Sequence, residues 1–126
     1  MGLMCTSCQT TKCDRIVVDI SQKRLKVYNG SMPVYSSLIE TGRAGIGHTL
    51  GSGKTPTGTF NIVKEPKHRF GPVFRLSGFQ GNSRGILVHK DLSTRVGSGG
   101  CVVLPGNNMK KLYDIVDDDA VLIIKT

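Results

Sequence analysis

A cysteine and a histidine in the second half of the chain have residue types and a spacing suited to nucleophilic catalysis. Cys101 follows the turn Ser98-Gly99-Gly100, and His89 ends the apolar run Ile86-Leu87-Val88. An imidazole beside a thiol stabilises the thiolate and carries its proton. Successive backbone N–H groups in the glycine turn would suit the oxyanion of a tetrahedral intermediate. A structural pair is the alternative, since cysteine is often buried and histidine often lies in a core.

The elements expected to position this pair are short strands. Apolar runs divided by turn residues predict strands, and Asn29-Gly30 predicts a tight turn between two of them. The predicted strands cover residues 15–20, 24–28, 34–41, 57–63, 73–77, 85–88 and 120–125. Apolar residues at three- and four-residue spacing predict a helix at residues 107–116. We therefore expect a mainly β domain at residues 14–126, preceded by a cysteine-containing tail at residues 1–13.

Length and charge limit the classes of partner. The chain has 126 residues, enough for one domain with a core, and 17 Lys and Arg against 9 Asp and Glu give a net charge of +8. Nucleic acid, an anionic membrane surface or a phosphate-rich cell wall would match that charge. The basic residues are scattered and do not alternate with aromatic residues, so a nucleic-acid partner is not predicted.

Hydropathy predicts no targeting or spanning segment within the chain. No run reaches the roughly 18 apolar residues that a membrane-spanning helix needs. Residues 1–11 lack the basic start and apolar middle of a signal peptide. A cytosolic location, a leader that is missing from this chain and another export route therefore stay open.

Three further cysteines stand near the start of the chain. Cys5 and Cys8 have the spacing of a metal knuckle or a redox pair, and Cys13 would supply a third ligand. The sequence contains no second C-x-x-C motif that would complete a metal site, so zinc, a disulfide and unpaired thiols all stay open. No metal or cofactor is predicted near Cys101, because thiol–imidazole chemistry needs neither.

Four segments carry a recognisable pattern when they are taken in order. They are the hairpin Val17–Tyr28, the run Thr55-Pro56-Thr57-Gly58-Thr59-Phe60-Asn61-Ile62, the strand Ile86–His89 and the motif Ser98–Leu104. Together they resemble the L,D-transpeptidase catalytic domain, also called the YkuD domain, from about Asp14 to Lys125. The resemblance implies a mainly β fold, an L,D-transpeptidase-like β-sandwich of short mixed strands with one helix after the nucleophile.

The same resemblance implies a peptidoglycan-modifying enzyme of the periplasm or cell envelope, either an L,D-transpeptidase or an L,D-carboxypeptidase acting on tetrapeptide stems. In that mechanism Cys101 forms a thioester with the third stem residue, and His89 transfers the proton from the thiol to the departing D-alanine. Ser98 would orient the imidazole through its backbone carbonyl. The N–H groups of Gly100 and Cys101 would hold the oxyanion.

Three departures from the family pattern bear on the substrate. Gly99 stands where the family has a histidine, Val103 where it has an arginine, and Lys90 where it has a glycine. In the family the histidine and the arginine help to hold the peptide stem, so their loss implies a different acceptor, a hydrolytic outcome or a compact toxin-like branch that would have an immunity protein as partner.

Other polar residues are weaker candidates for the site. The expected substrate contacts, besides Gly99, are Arg43, His48 and Lys54. His68, within Lys67-His68-Arg69, is expected on a basic surface. The alternative to an enzyme is a non-catalytic module that binds the cell wall or a polyanion through the same scaffold.

Overall fold

One mixed β-sheet and one helix form the part of the chain that the structure, a computed structural model, describes: residues 12–41, 56–77, 86–91, 101–105 and 107–126. The elements in chain order are β1 (Cys13–Asp19), β2 (Arg24–Asn29), β3 (Met32–Leu38), β4 (Gly58–His68), β5 (Gly71–Ser77), β6 (Leu87–Lys90), β7 (Val102–Leu104), α1 (Asn108–Ile115) and β8 (Val116–Lys125). The predicted fold class, mainly β with a helix after the nucleophile motif, is confirmed.

The sheet is nearly closed on itself. Its strand order is β3-β2-β1-β8-β4-β5-β6-β7. Most neighbours are antiparallel, but β1 runs parallel to β8 and β6 runs parallel to β7. Just after β3, Glu40 and Val103 exchange two backbone hydrogen bonds of 2.9 Å each, so the two edge strands meet at one end. β7 is therefore held between β6 and the segment that follows β3.

Alternating apolar residues place the main core on one face of this sheet. Ile16 and Val18 of β1 are fully buried, and β2 alternates in the same way at Leu25 and Val27. The other members of the core are Cys13, Ile39, Phe60, Ile62, Phe74, Leu76, Val88, Val102, Leu104, Met109, Leu112, Val116, Ala120, Leu122 and Ile124. Burying one large aliphatic side chain contributes about 1.5–3 kcal/mol. This core stabilises the strands that carry the candidate site.

β4 is longer than the sequence pattern predicts. The predicted strand ends at residue 63, but β4 continues to His68 because its second half pairs with β5. A register shift in this half accommodates Pro66, which cannot donate a ladder hydrogen bond. The hairpin turn lies at residues 69–70, and Gly71 follows with a φ of +85°, which residues with a side chain rarely adopt.

Candidate active site

Neighbouring parallel strands carry His89 and Cys101. In the β6–β7 register, Val88 pairs with Val102 and His89 pairs with Val103. Cys101 directly precedes β7, and its Sγ accepts a hydrogen bond from the backbone N–H of Leu87 at 3.4 Å. Residues two apart in a strand are separated by roughly 6.6 Å. The Cys101 sulfur therefore lies beside β6 at the level of Leu87, two residues before His89.

His89 lies on the face of the sheet that points away from the main core. Val88 belongs to the core, and side chains alternate along a strand, so His89 projects from the opposite face. Its partner Val103 is outside the core cluster too, yet the two side chains are only 6% and 8% exposed. Other parts of the protein therefore cover this second face around the histidine.

Two contacts fix the orientation of the His89 imidazole. Its Nδ1 lies 2.7 Å from the backbone oxygen of Lys90. A carbonyl oxygen can only accept, so Nδ1 carries the proton and Nε2 is left as the basic nitrogen. The Phe70 ring packs on the imidazole with a centroid separation of 5.0 Å and an interplanar angle of 42°.

The β4–β5 turn is a part of the site that sequence reasoning missed. The His68 ring contacts the Phe70 ring with a centroid separation of 4.8 Å and an interplanar angle of 53°, and the backbone N–H of Phe70 donates to His68 Nδ1 at 3.1 Å. His68 is therefore half-buried in a row of three rings that ends on His89, between the exposed residues Lys67 and Arg69. Gly71 signals a turn, but no pattern in the sequence indicates that the turn packs on His89.

Both groups of the candidate pair are driven toward their uncharged forms. Burial lowers the pKa of His89 below its ordinary value, and the nearby His68 adds to this effect, while the Lys90 carbonyl and the Asp91 carboxylate oppose it. Burial raises the pKa of the Cys101 thiol, against the smaller effect of the Leu87 N–H. Desolvation disfavours any ionised form, so burial favours a thiol at Cys101 and a neutral imidazole at His89. This differs from the stabilised thiolate expected from the sequence.

Of the predicted site residues, the structure describes only His89 and Cys101. Ser98, Gly99, Gly100, Arg43, His48 and Lys54 lie outside the described residues. Of the three departures from the family pattern, Val103 is buried in β7 and Lys90 supplies the carbonyl that accepts from His89.

Glu40 is a second residue that sequence reasoning missed. It pairs with Val103 across an antiparallel bridge, and directly opposed residues project from the same face. Its exposed carboxylate therefore stands on the face that holds His89, two strands away from it. Glu40 became a neighbour of this site only through the closure of the sheet, which no local pattern in the sequence shows.

Cys13 is the member of the N-terminal cysteine group that the structure describes. It lies in β1 with 3% of its side chain exposed, and burial, aided by the Asp14 charge, raises the pKa of its thiol. Cys5 and Cys8 lie outside the described residues. Within the described ranges, no three His, Cys, Asp or Glu side chains are grouped to hold a metal ion, and no helix is long and apolar enough to span a membrane.

Comparison with known families gives one match that covers most of the chain. The family model of the L,D-transpeptidase catalytic domain, YkuD, matches residues 14–124. No protein of curated function matches the chain by sequence.

Solved structures of similar fold include three from different bacteria. The L,D-transpeptidase (Yku) of Stackebrandtia nassauensis has a TM-score of 0.71 and 23% identity, over 90% of this chain and 55% of that one. The helical cell shape determining protein Pgp2 of Campylobacter jejuni has a TM-score of 0.72 and 22% identity, over 91% and 48%. L,D-transpeptidase 3 of Mycobacterium tuberculosis has a TM-score of 0.69 and 17% identity, over 91% and 61%. At these identities the likeness establishes the fold, and this chain spans about half to three fifths of each structure.

Proposed function

The chain belongs to the L,D-transpeptidase catalytic domain (YkuD) family, and from this premise we propose that it is a cysteine acyltransferase acting on the peptide stems of peptidoglycan in the cell envelope. Cys101 is the nucleophile and His89 is the general base. The observation that carries the proposal is the placement of the two residues on adjacent strands, with the histidine tautomer set by the Lys90 carbonyl.

In the acylation step, Cys101 Sγ bonds to the carbonyl carbon of the third residue of a tetrapeptide stem, and the thiol proton passes to His89 Nε2. The tetrahedral intermediate then loses its C–N bond to the terminal D-alanine, whose nitrogen takes the proton from His89. The products are a thioester on Cys101 and free D-alanine. General base catalysis of this kind typically contributes 10²- to 10⁴-fold, on the order of 3–5 kcal/mol.

The second step decides between the two outcomes that the sequence leaves open. If the amine of another stem attacks the thioester, the C–S bond breaks and a cross-link forms, and the amine proton returns through His89 to the sulfur. If water attacks instead, the product is a tripeptide carboxylate. Glu40 supports the first outcome, because an exposed carboxylate on the site face attracts an ammonium group.

The neutral resting pair defines how the nucleophile is activated. Because burial disfavours the thiolate–imidazolium pair, proton transfer from Cys101 to His89 accompanies attack and does not precede it. The imidazolium that forms is then poised to protonate the leaving amine. A buried base with a lowered pKa remains unprotonated at neutral pH and is ready for the next cycle.

Covalent labelling by a β-lactam tests the proposal. The structure of L,D-transpeptidase 3 from Mycobacterium tuberculosis contains a faropenem-derived adduct, so faropenem is a suitable probe. We expect the intact mass of the wild type to rise by one drug-derived acyl group, and peptide mapping to place the group on Cys101. Cys101→Ala should gain nothing, whereas Cys13→Ala, a control at the buried thiol, should label like the wild type. A wild type that stays unlabelled, or that labels elsewhere, contradicts the proposed nucleophile.

The natural reaction needs a separate assay. Incubation with a purified tetrapeptide muropeptide should release D-alanine only when Cys101 is present. Cross-linked dimer as the main product identifies a transpeptidase, and tripeptide as the main product identifies a carboxypeptidase. Replacement of the carboxylate, Glu40→Gln, should lower the share of dimer. An unchanged share would remove Glu40 from the acceptor site.

A further inference from the structure

A cationic cavity lies on the outer face of β1, β2 and β8. Its volume is about 130 Å³, it is open to solvent, and its lining residues are Val17, Asp19, Gln22, Arg24, Lys26, Tyr28 and Lys125. Strand register explains the grouping, because Asp19 pairs with both Arg24 and Lys125. Directly paired residues project from one face, so one carboxylate stands between two cations, and Lys26 adds a third.

The carboxylate in this cavity offsets only part of the cationic charge. Asp19 Oδ1 accepts hydrogen bonds from Ser21 Oγ at 2.7 Å and from the backbone N–H of Gln22 at 3.2 Å. Within the described part of the chain, no salt bridge involves any of the three cavity cations. Three cations against one carboxylate leave an excess of two positive charges at the cavity.

The cations are held in a defined arrangement around the opening. Arg24 Nη1 donates to Ser36 Oγ at 3.3 Å, which ties its guanidinium to the neighbouring strand β3. Arg15 stacks its guanidinium on the Tyr28 ring at 4.5 Å, so a fourth cation lies at the edge of the cavity. An arginine with further donors around it suits groups that offer several anionic oxygens, and phosphate offers more of them than a carboxylate does.

The cavity is separate from the candidate active site. β1 lies four strands from β6 in the order of the sheet, and in a nearly closed sheet of eight strands that is the opposite side. A ligand in the cavity would leave His89 and Cys101 accessible to a peptide stem.

We propose that this cavity binds the phosphate groups of a phosphodiester-linked polymer of the cell wall and so docks the domain on its insoluble substrate. The net charge of +8 attracts a polyanion from a distance, and the cavity provides a specific binding site for one phosphate group. The choice of a wall polymer over nucleic acid rests on the proposed function, whereas the affinity for phosphate rests on the cavity alone.

Binding to poly(glycerol phosphate) tests this proposal, with titration calorimetry of the full chain as the readout. Arg24→Gln/Lys26→Gln should weaken binding about tenfold or more, because it removes two charge-assisted contacts. Lys67→Gln/Lys111→Gln removes the same charge from exposed positions elsewhere and should weaken binding less than about threefold, through the general field alone. Equal losses in the two variants, or no binding by the wild type, would overturn the cavity as a site.

Further binding and labelling experiments identify the ligand and test this proposal independently of the proposed function. A single-stranded DNA with the same number of phosphates should bind more weakly than poly(glycerol phosphate), and tighter DNA binding would overturn the assignment to the wall. Polygalacturonate, a polymer of carboxylates, should also bind more weakly than the phosphate polymer, and equal binding would overturn the specificity for phosphate. Faropenem labelling of Arg24→Gln/Lys26→Gln should match that of the wild type, which shows that a loss of polymer binding is independent of catalysis.

Discussion

The sheet contains two parallel strand pairs. The pKa values of ionisable groups are shifted toward the charged form on one pair and toward the uncharged form on the other. On the outer face of β1–β8, Asp19 is opposite Lys125 in open solvent, and hydrogen bonds from Ser21 and Gln22 lower the pKa of its carboxyl group toward the charged form. On the outer face of β6–β7, burial shifts the pKa values of His89 and Cys101 toward their uncharged forms.

The pairing geometry is shared, so the difference comes from what surrounds each pair, hydrogen-bond donors at Asp19 and buried surroundings at His89 and Cys101. The half-buried outer face of β1–β8 opens to solvent at the cavity, and it retains charges that suit a polyanion. The β4–β5 turn covers part of β6–β7, where Phe70 packs on the imidazole and removes it from water. The chemistry of a strand pair in this domain therefore follows from the groups that surround it.

Loss of the base should have the largest effect. His89→Ala removes the group that we propose accepts the thiol proton, and because the pKa of Cys101 is raised, little thiolate remains to react without it. The rate of faropenem labelling should fall by roughly 10²- to 10⁴-fold, as followed by intact mass against time. A variant that labels within about threefold of the wild-type rate, well below the usual effect of a general base, would exclude that role.

Core truncation on the β1–β8 side should affect stability and leave the chemistry intact. Leu122 is fully buried, so Leu122→Ala should lower the free energy of unfolding by about 2–5 kcal/mol. Urea denaturation measures the loss, and Ile123→Ala, on the half-buried outer face of the same strand, is the matched control with a smaller loss. A changed pH dependence of labelling in the folded Leu122→Ala variant would mean that the two regions are coupled.

The pH dependence of labelling should show the effect of the cover on β6–β7. The base must be unprotonated, so the rate rises as pH passes upward through the pKa of His89, which burial places below the ordinary value of 6.5. Phe70→Leu removes the ring that packs on the imidazole and admits water, so this acid limb should move to higher pH. Phe70→Tyr retains the ring and is the control. An acid limb that stays in place in Phe70→Leu would show that the ring does not set the pKa.

Removal of the second imidazole should have the smallest effect. The positive charge of His68 lowers the pKa of His89, although burial is the larger cause. In His68→Gln the acid limb should therefore move upward by less than in Phe70→Leu, with the plateau rate almost unchanged. A fall of the plateau rate as large as that of His89→Ala would instead make His68 part of the catalytic machinery.

Local signals in the sequence were sufficient for most of the scaffold. The Asn29-Gly30 turn is confirmed, since Asn29 pairs with Met32 and Gly30 has a φ of +61°. Alternation of apolar residues located β1 and β2, and helical spacing located α1, because these patterns depend only on near neighbours. β7 was not predicted as a strand, since three residues carry too little pattern and the pairing with β6 is what extends them.

Local signals in the sequence do not predict the surroundings of the candidate site. Residue types and order pointed to His89 and Cys101, but the cover by Phe70 and the neutral state of the pair arise from contacts between distant segments. The cationic cavity has the same origin, because Arg24 and Lys125 are a hundred residues apart in the chain and meet only through their pairing with β1. Scattered basic residues in the sequence gave no sign of that grouping.

If Cys101 and His89 are both uncharged at rest, the ultraviolet absorbance of the thiolate should be absent at neutral pH. The difference between the wild type and Cys101→Ala, titrated against pH, reports the ionisation of this sulfur alone. We expect no Cys101 thiolate at neutral pH, and the difference absorbance should appear only above the ordinary pKa of a thiol. A thiolate that is present at neutral pH and disappears in His89→Ala would contradict it, because that result would mean a preformed ion pair.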